Sequence, residues 1–184
     1  MLSGAALTAG LQGVISLVLL SDQQTLDRFR FWQVGSLVGR DLDNVASIWP
    51  FLAVGAAVAL LSGRTLNLLA LGDDLARGLG QRTGAVRALL LAVIVLLAGG
   101  GTALAGPLLF VGLVVPHLAR GLVGQDYRWI VPLSALLGPA LVLLADVAGR
   151  LIARPSEIEV GIVTAFLGAP VMILLLRRNR SEGL

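Results

Sequence analysis

The chain has 184 residues, 57% of them hydrophobic and 14% charged, with a net charge of +3 and a mean hydropathy of +0.90. Soluble domains carry roughly 45–50% apolar residues, so this composition belongs in a bilayer. The absence of cysteine excludes disulfides and thiolate metal sites, and all fourteen basic residues are arginines that form no nucleic-acid patch, a pattern of coding bias and span-end placement.

The first apolar run, Gly4–Leu20, is a candidate membrane helix. No basic residue precedes it and no small-residue cleavage site stands before Asp22, which argues against a cleaved signal peptide. The stretch DQQTLDRFRFWQVGSLVG that follows is helical in pattern, with Leu26, Phe29 and Trp32–Val34 on or near one face. It reads either as an interfacial helix anchored by Trp32 or as a short helix dipping toward a central pathway, with Gly35 and Gly39 turning the chain into the next span. Ile48–Leu61 is the second run, short for a crossing by itself.

Leu66–Arg87, LNLLALGDDLARGLGQRTGAVR, is the longest polar interruption between strongly apolar segments. Its apolar and small residues recur at Leu68, Leu71, Leu75, Ala76 and Leu79, a helical period, with Asp73, Asp74, Arg77 and Arg82 between them. Asp73 and Asp74 follow Gly72 near a helix start, where negative charge complements the macrodipole, and Arg77 lies one turn later. Ala76 and Gly80 are small enough for a partner surface to approach closely. Without further context the same stretch also reads as a surface helix with capping acids and no partner.

Ala88–Ala119 then runs 32 residues without a charge. As one helix it would extend about 48 Å at roughly 1.5 Å per residue, against a hydrocarbon core of about 30 Å, so it must fold back. The break falls at Gly99–Gly101 or at Gly106–Pro107, giving runs Ala88–Ala105 and Gly106–Ala119. Trp129–Ala145 and Val160–Leu176 complete six candidate spans. The expected fold is all-α and polytopic, with about six transmembrane helices, a short extracytoplasmic helix and a cytoplasmic amphipathic helix.

Six crossings put Arg64, Arg77, Arg82, Arg87, Arg120, Arg128, Arg177, Arg178 and Arg180 on one side and Arg28, Arg30, Arg40, Arg150 and Arg154 on the other. The richer side is expected to be cytoplasmic, with both termini, leaving Ser21–Ala46 and Arg150–Glu159 outside.

His117 is the only histidine, and with no nearby acid or thiolate it cannot assemble a metal site of three or four ligands. Pro116, His117 and Arg120 are expected to bend and end the fourth span. Asp146 is the one carboxylate at the edge of an apolar run, a place where proton coupling would be the obvious function. Arg150 at i+4 offers it an ion pair that needs no proton chemistry. Gly161, Ala165 and Gly168 share one side of the last span, with Thr164 close by, a spacing that usually means tight helix packing. No catalytic residue, cofactor or metal site is expected.

Four segments in order, ALGDDLARGLG (Ala70–Gly80), GPLLFVGLVVPHLAR (Gly106–Arg120), LSALLGPALVLLADVAGR (Leu133–Arg150) and EVGIVTAFLGAP (Glu159–Pro170), resemble the FecCD-like ABC transporter permeases. The likeness runs from about Gly4 to Arg177. That family comprises membrane subunits importing iron-siderophores, haem and cobalamin into bacteria, usually with ten membrane helices, and the chain resembles the last six. It therefore reads as a C-terminal fragment or a truncated gene product.

The resemblance implies that Leu68–Arg82 is the coupling-helix region, seated in a groove of an ATP-binding subunit, with Ala70, Leu71, Gly72, Asp73, Asp74, Ala76, Arg77, Leu79 and Gly80 as its contact residues. It implies that Arg150 faces an extracytoplasmic substrate-binding protein and receives a glutamate from it. It also brings the last span, through Gly161, Thr164, Ala165 and Gly168, near a central pathway at a dimer axis, together with the first span and the short external helix. The implied assembly has two ATP-binding subunits, one binding protein, a second permease subunit identical or paralogous, and surrounding lipid in the bacterial inner membrane, with no nucleic acid. The competing classes are a membrane enzyme, for which convergent intramembrane polar groups are missing, an ion-coupled secondary transporter using Asp146, and a zinc or manganese ABC permease, whose histidine and acid ligand clusters this chain lacks.

Overall fold

Each of the six apolar runs contributes a helix in the computed structural model, which describes residues 2–37, 42–154 and 158–181. The helices are α1 (Leu2–Ser21), α2 (Gln23–Val34), α3 (Leu42–Leu61), α4 (Gly63–Ala70), α5 (Asp73–Gly78), α6 (Thr83–Ala105), α7 (Val111–Val123), α8 (Tyr127–Ile152) and α9 (Val160–Ser181). No strand occurs among the described residues. Gly39 and Arg40, assigned above to the turn before α3 and to the external charge, lie outside the described residues, as does 155–157 in the expected external loop.

α1, α6 and α8 are long and apolar enough to cross a membrane, and α3 with α4 forms a fourth candidate bent by 53°. Apolar residues surround α1 and α6 instead of forming one stripe, and large side chains such as Leu17 and Val95 stand 69% and 70% exposed; such helices suit lipid or other spans on most sides. α1 carries this furthest, because among the described residues its one extensive neighbour is α2. The bend between α3 and α4 follows Ser62, whose hydroxyl donates to the Val58 carbonyl at 2.6 Å and so competes with the backbone ladder.

The fold-back of the uncharged run lies at Gly106–Phe110, and α6 passes straight through Gly99–Gly101. Gly100 instead makes room for packing: a Cβ there would stand 2.8 Å from Leu52 Cδ2, and one on Gly55 would stand 2.9 Å from Leu97 Cδ2. α3 and α6 thus each seat a leucine of the other. α7 is only 13 residues, about 20 Å at 1.5 Å per residue, and it is preceded by the non-helical Gly106–Phe110. Irregular backbone at membrane depth is tolerated where protein covers it, and Gly106 is buried. The core proper is small. Val114, Val115 and Ala119 of α7, Ile130 and Ala145 of α8, and Val160 and Thr164 of α9 are buried along the seams where these three helices pack.

Candidate functional site

Two ends of the bundle are built differently. At one end, the stretch expected to form a single amphipathic helix forms two, α4 and α5, separated at Leu71–Gly72. Gly72 caps α5 at φ 101°, ψ 157°, a region open essentially to glycine alone. The acids sit as expected in the first turn of α5 and Arg77 in its last. Their partners lie elsewhere than the i+4 pattern suggests: Arg87 of α6 donates to Asp73 at 2.6 Å, and Arg77 Nε donates to Thr83 Oγ1 at 3.2 Å. Both contacts fasten α5 to the start of α6.

α4 is fastened in turn to α8. Asn67 donates through Nδ2 to Asp126 at 2.6 Å and accepts from the Tyr127 backbone N–H at 2.9 Å. Asp126 caps α8, accepting from the Arg128 N–H at 2.9 Å. The Asn67 amide and the Arg128 N–H both favour the charged form, and they hold the Asp126 carboxyl below its ordinary value. Backbones also meet here, since a Cβ on Gly63 would stand 2.8 Å from Arg128 Cα. Arg120, at the end of α7, lies over the Tyr127 ring at 5.9 Å from its centroid.

What this braced segment presents outward differs from expectation. Ala76, expected on the partner-facing surface, is fully buried within the chain, so its small size serves internal packing. The outward residues are Leu71, Leu75 and Leu79, which are 58%, 61% and 64% exposed. Leu75 lies within α5 and Leu71 and Leu79 flank its two ends, so the segment carries an apolar ridge of three exposed leucines beside the exposed Ala70, Asp74 and Gly80. Their helical spacing was visible in the sequence; which way it faced was not.

At the other end, Asp22 caps α2, accepting from the Gln24 and Thr25 N–H groups at 3.2 and 3.1 Å, and the Thr25 hydroxyl bond in particular holds its carboxyl below the usual range. The Phe29 and Trp32 rings lie 5.6 Å apart. Three glycines then let three segments touch main chain to main chain. Ser36 N–H donates to the Ala105 carbonyl at 2.9 Å and Gly161 N–H to the Gly35 carbonyl at 3.0 Å. A Cβ on Gly35 would stand 2.8 Å from the Pro107 carbonyl oxygen, one on Gly106 would overlap the Trp32 carbonyl, and one on Gly161 the Val34 carbonyl. Gly168 likewise lies against Phe110, a residue at φ 65°. Thr164 is buried with its hydroxyl on the Gly161 carbonyl at 3.0 Å. Gly161, Thr164 and Gly168 are thus packing residues, whereas Ala165 lines a shallow groove with Gln33, Pro107 and Phe166.

Arg150 and Asp146 pair at 2.8 Å, the carboxylate side chain 16% and the arginine 46% exposed. An acid held this way has its charge compensated in place, as the spacing suggested. His117 is half-buried in α7, and no group of three potential metal ligands occurs among the described residues.

Residues 1–178 match the FecCD transport family. The chain is 44% identical over 182 residues to the ferric enterobactin transport system permease protein FepD of Escherichia coli, covering 99% of this chain and 54% of that protein. It is 40% identical over 179 residues to the iron(3+)-hydroxamate import system permease protein FhuB of Bacillus subtilis, covering 97% of this chain and 46% of that one. Among solved structures, an inward-facing conformation of a metal-chelate type ABC transporter superposes with a TM-score of 0.87 at 28% identity, over 95% of this chain and 57% of its own. The chain spans about half the length of the curated relatives it matches.

Proposed function

We propose, from the premise that this chain belongs to the FecCD transport family, that it is the C-terminal part of the permease subunit of a binding-protein-dependent ABC importer. Its cargo is an iron-siderophore or similar metal-chelate, the class carried by the relatives whose names specify ferric enterobactin and iron(3+)-hydroxamate. The chain hydrolyses nothing itself. A separate ATP-binding subunit, present in two copies, docks on α4–α5; a binding protein outside docks near Arg150; and a second permease subunit completes the pathway. The arginine distribution supports an orientation in the bacterial inner membrane with α4–α5 and both termini in the cytoplasm.

The observation that carries this reading is the Leu71, Leu75 and Leu79 ridge. An isolated surface leucine is ordinary, but three within nine residues, on a segment tied to α6 and α8, leave apolar surface that water alone would not favour. The test is energetic dependence. In cells expressing the complete transporter, uptake of an ⁵⁵Fe-labelled hydroxamate or catecholate siderophore should stop on deletion of the partner ATP-binding subunit and persist when the proton gradient is collapsed with cellular ATP maintained. The reverse pattern would return Asp146 to an ion-coupled role.

A further inference from the structure

We propose that Asn67, through its paired bonds to Asp126 and Tyr127, is a positioning residue that passes displacement of α4–α5 to the N-terminal end of α8. This rests on the reading of α4–α5 as the surface moved by an ATP-binding subunit. The geometry singles out Asn67 because it is the one side chain of α4 that bonds in both directions to another element: its amide donates to the Asp126 carboxylate at 2.6 Å and its carbonyl accepts from Tyr127 N–H at 2.9 Å. Two bonds from one planar amide fix orientation as well as distance. Asp126 simultaneously caps α8, so a pull on Asn67 acts on the first turn of that helix. The close approach of Gly63 to the Arg128 main chain leaves no side-chain cushion between the two helices.

α8 is suited to receive such a motion. Its 26 residues extend about 39 Å at 1.5 Å per residue, from the Asn67 bonds to the Asp146–Arg150 pair near its far end. Pro132 and Pro139 lie within it, each removing one backbone hydrogen bond, and these are the places where a helix bends under load. By contrast, the links from α5 to α6 are an exposed ion pair, Arg87 with Asp73, and one part-buried bond from Arg77 Nε to Thr83 Oγ1, each made by a long arginine side chain with many rotamers. Displacement of α4 is passed to α8 through the short, planar Asn67 amide, and the two prolines let the proximal segment swing while the distal segment stays packed on α9.

The decisive experiment exchanges the bond polarity. Asn67→Asp faces the Asp126 carboxylate with a second one and removes the donor. Adding Asp126→Asn restores the pair in reverse, the new amide donating to residue 67, and keeps a good cap on α8, because asparagine caps as well as aspartate. In the complete transporter reconstituted in liposomes, Asn67→Asp should copurify with the ATP-binding subunit as the parent does, while stimulation of ATP turnover by the cargo-loaded binding protein falls about fivefold or more, the scale of a typical coupling free energy. The double exchange should regain it. Full stimulation in Asn67→Asp, or none in the double exchange, overturns the proposal. So does loss of copurification in Asn67→Asp that the exchange restores, which would make the pair a folding contact. Failure of the parent subunit to bind any ATP-binding subunit would instead strike the functional reading itself.

Discussion

If Leu71, Leu75 and Leu79 are the docking ridge, truncating them should weaken assembly without disturbing the chain that bears them. Fully burying a leucine side chain is worth about 1.5–3 kcal/mol, and with 58%, 61% and 64% of their surface exposed each has roughly three-fifths of that still to gain, about 1–2 kcal/mol. A single Leu75→Ala should then raise the dissociation constant for the ATP-binding subunit about 5–30-fold, and the triple alanine variant by about two orders of magnitude or more. Because the side chains are already outside the packed interior, thermal stability of the isolated subunit in detergent should hardly change. Ala76→Leu supplies the contrast: that site is fully buried, and added methylenes should destabilise the subunit itself by about 1–3 kcal/mol. Affinity is measured by microscale thermophoresis or by quantitative copurification, stability by thermal unfolding in the same detergent. Parental affinity in the triple variant would refute the ridge as a docking surface.

Three other outcomes follow from particular residues. A reporter fused after Gly80 should score as cytoplasmic and one after Ser21 as extracytoplasmic; opposite signals at both sites would invert the orientation and place the ridge beyond reach of an ATP-binding subunit. In the complete subunit, Arg150→Gln should weaken docking of the binding protein by about 1 kcal/mol, a rim-charge effect that grows at low salt, and leave binding of the ATP-binding subunit intact; unchanged docking in a pull-down titration removes Arg150 from the site. The Asp126 carboxyl has its folded value lowered beneath 3.8 by Asn67 and the α8 backbone. A lowered acid contributes stability that is complete above its unfolded value and is lost as pH falls through the folded one. The attachment of α4 to α8 should therefore loosen only below about pH 4, and Asp126→Asn should abolish that acid-dependent loss in hydrogen exchange at α4.

Much of this architecture could be read from hydropathy because a bilayer forces apolar runs into helices. The expected runs map onto α1, α3, α6, α7, α8 and α9, and the acids of Asp73–Asp74 mark a real helix start. The helix start after Gly72 is legible from the glycine and the two acids, whereas the separate helix α4 before it is not, because Leu68, Leu71, Leu75 and Leu79 keep helical spacing across the break. Ala76 was misjudged for a related reason. Residue size limits how closely something can approach and says nothing about whether the approaching surface is a partner or the same chain. The Asn67–Asp126 bond joins residues 59 apart, and no local pattern encodes it. Gly106 and Gly161 showed as helix-breaking or small residues, but their meeting with Gly35 exists only once three segments converge.

That convergence has a consequence for how the protein is made. The Gly35 carbonyl finds its partner in the N–H of Gly161, at the start of α9, while α3 to α8 must be synthesised in between. At about 5–20 residues per second the wait is on the order of ten seconds, during which the end of α2 must remain at the aqueous margin or within the insertion machinery, since an unsatisfied carbonyl in hydrocarbon costs several kcal/mol. A side chain on Gly161 would overlap the Val34 carbonyl and so keep this late bond from closing.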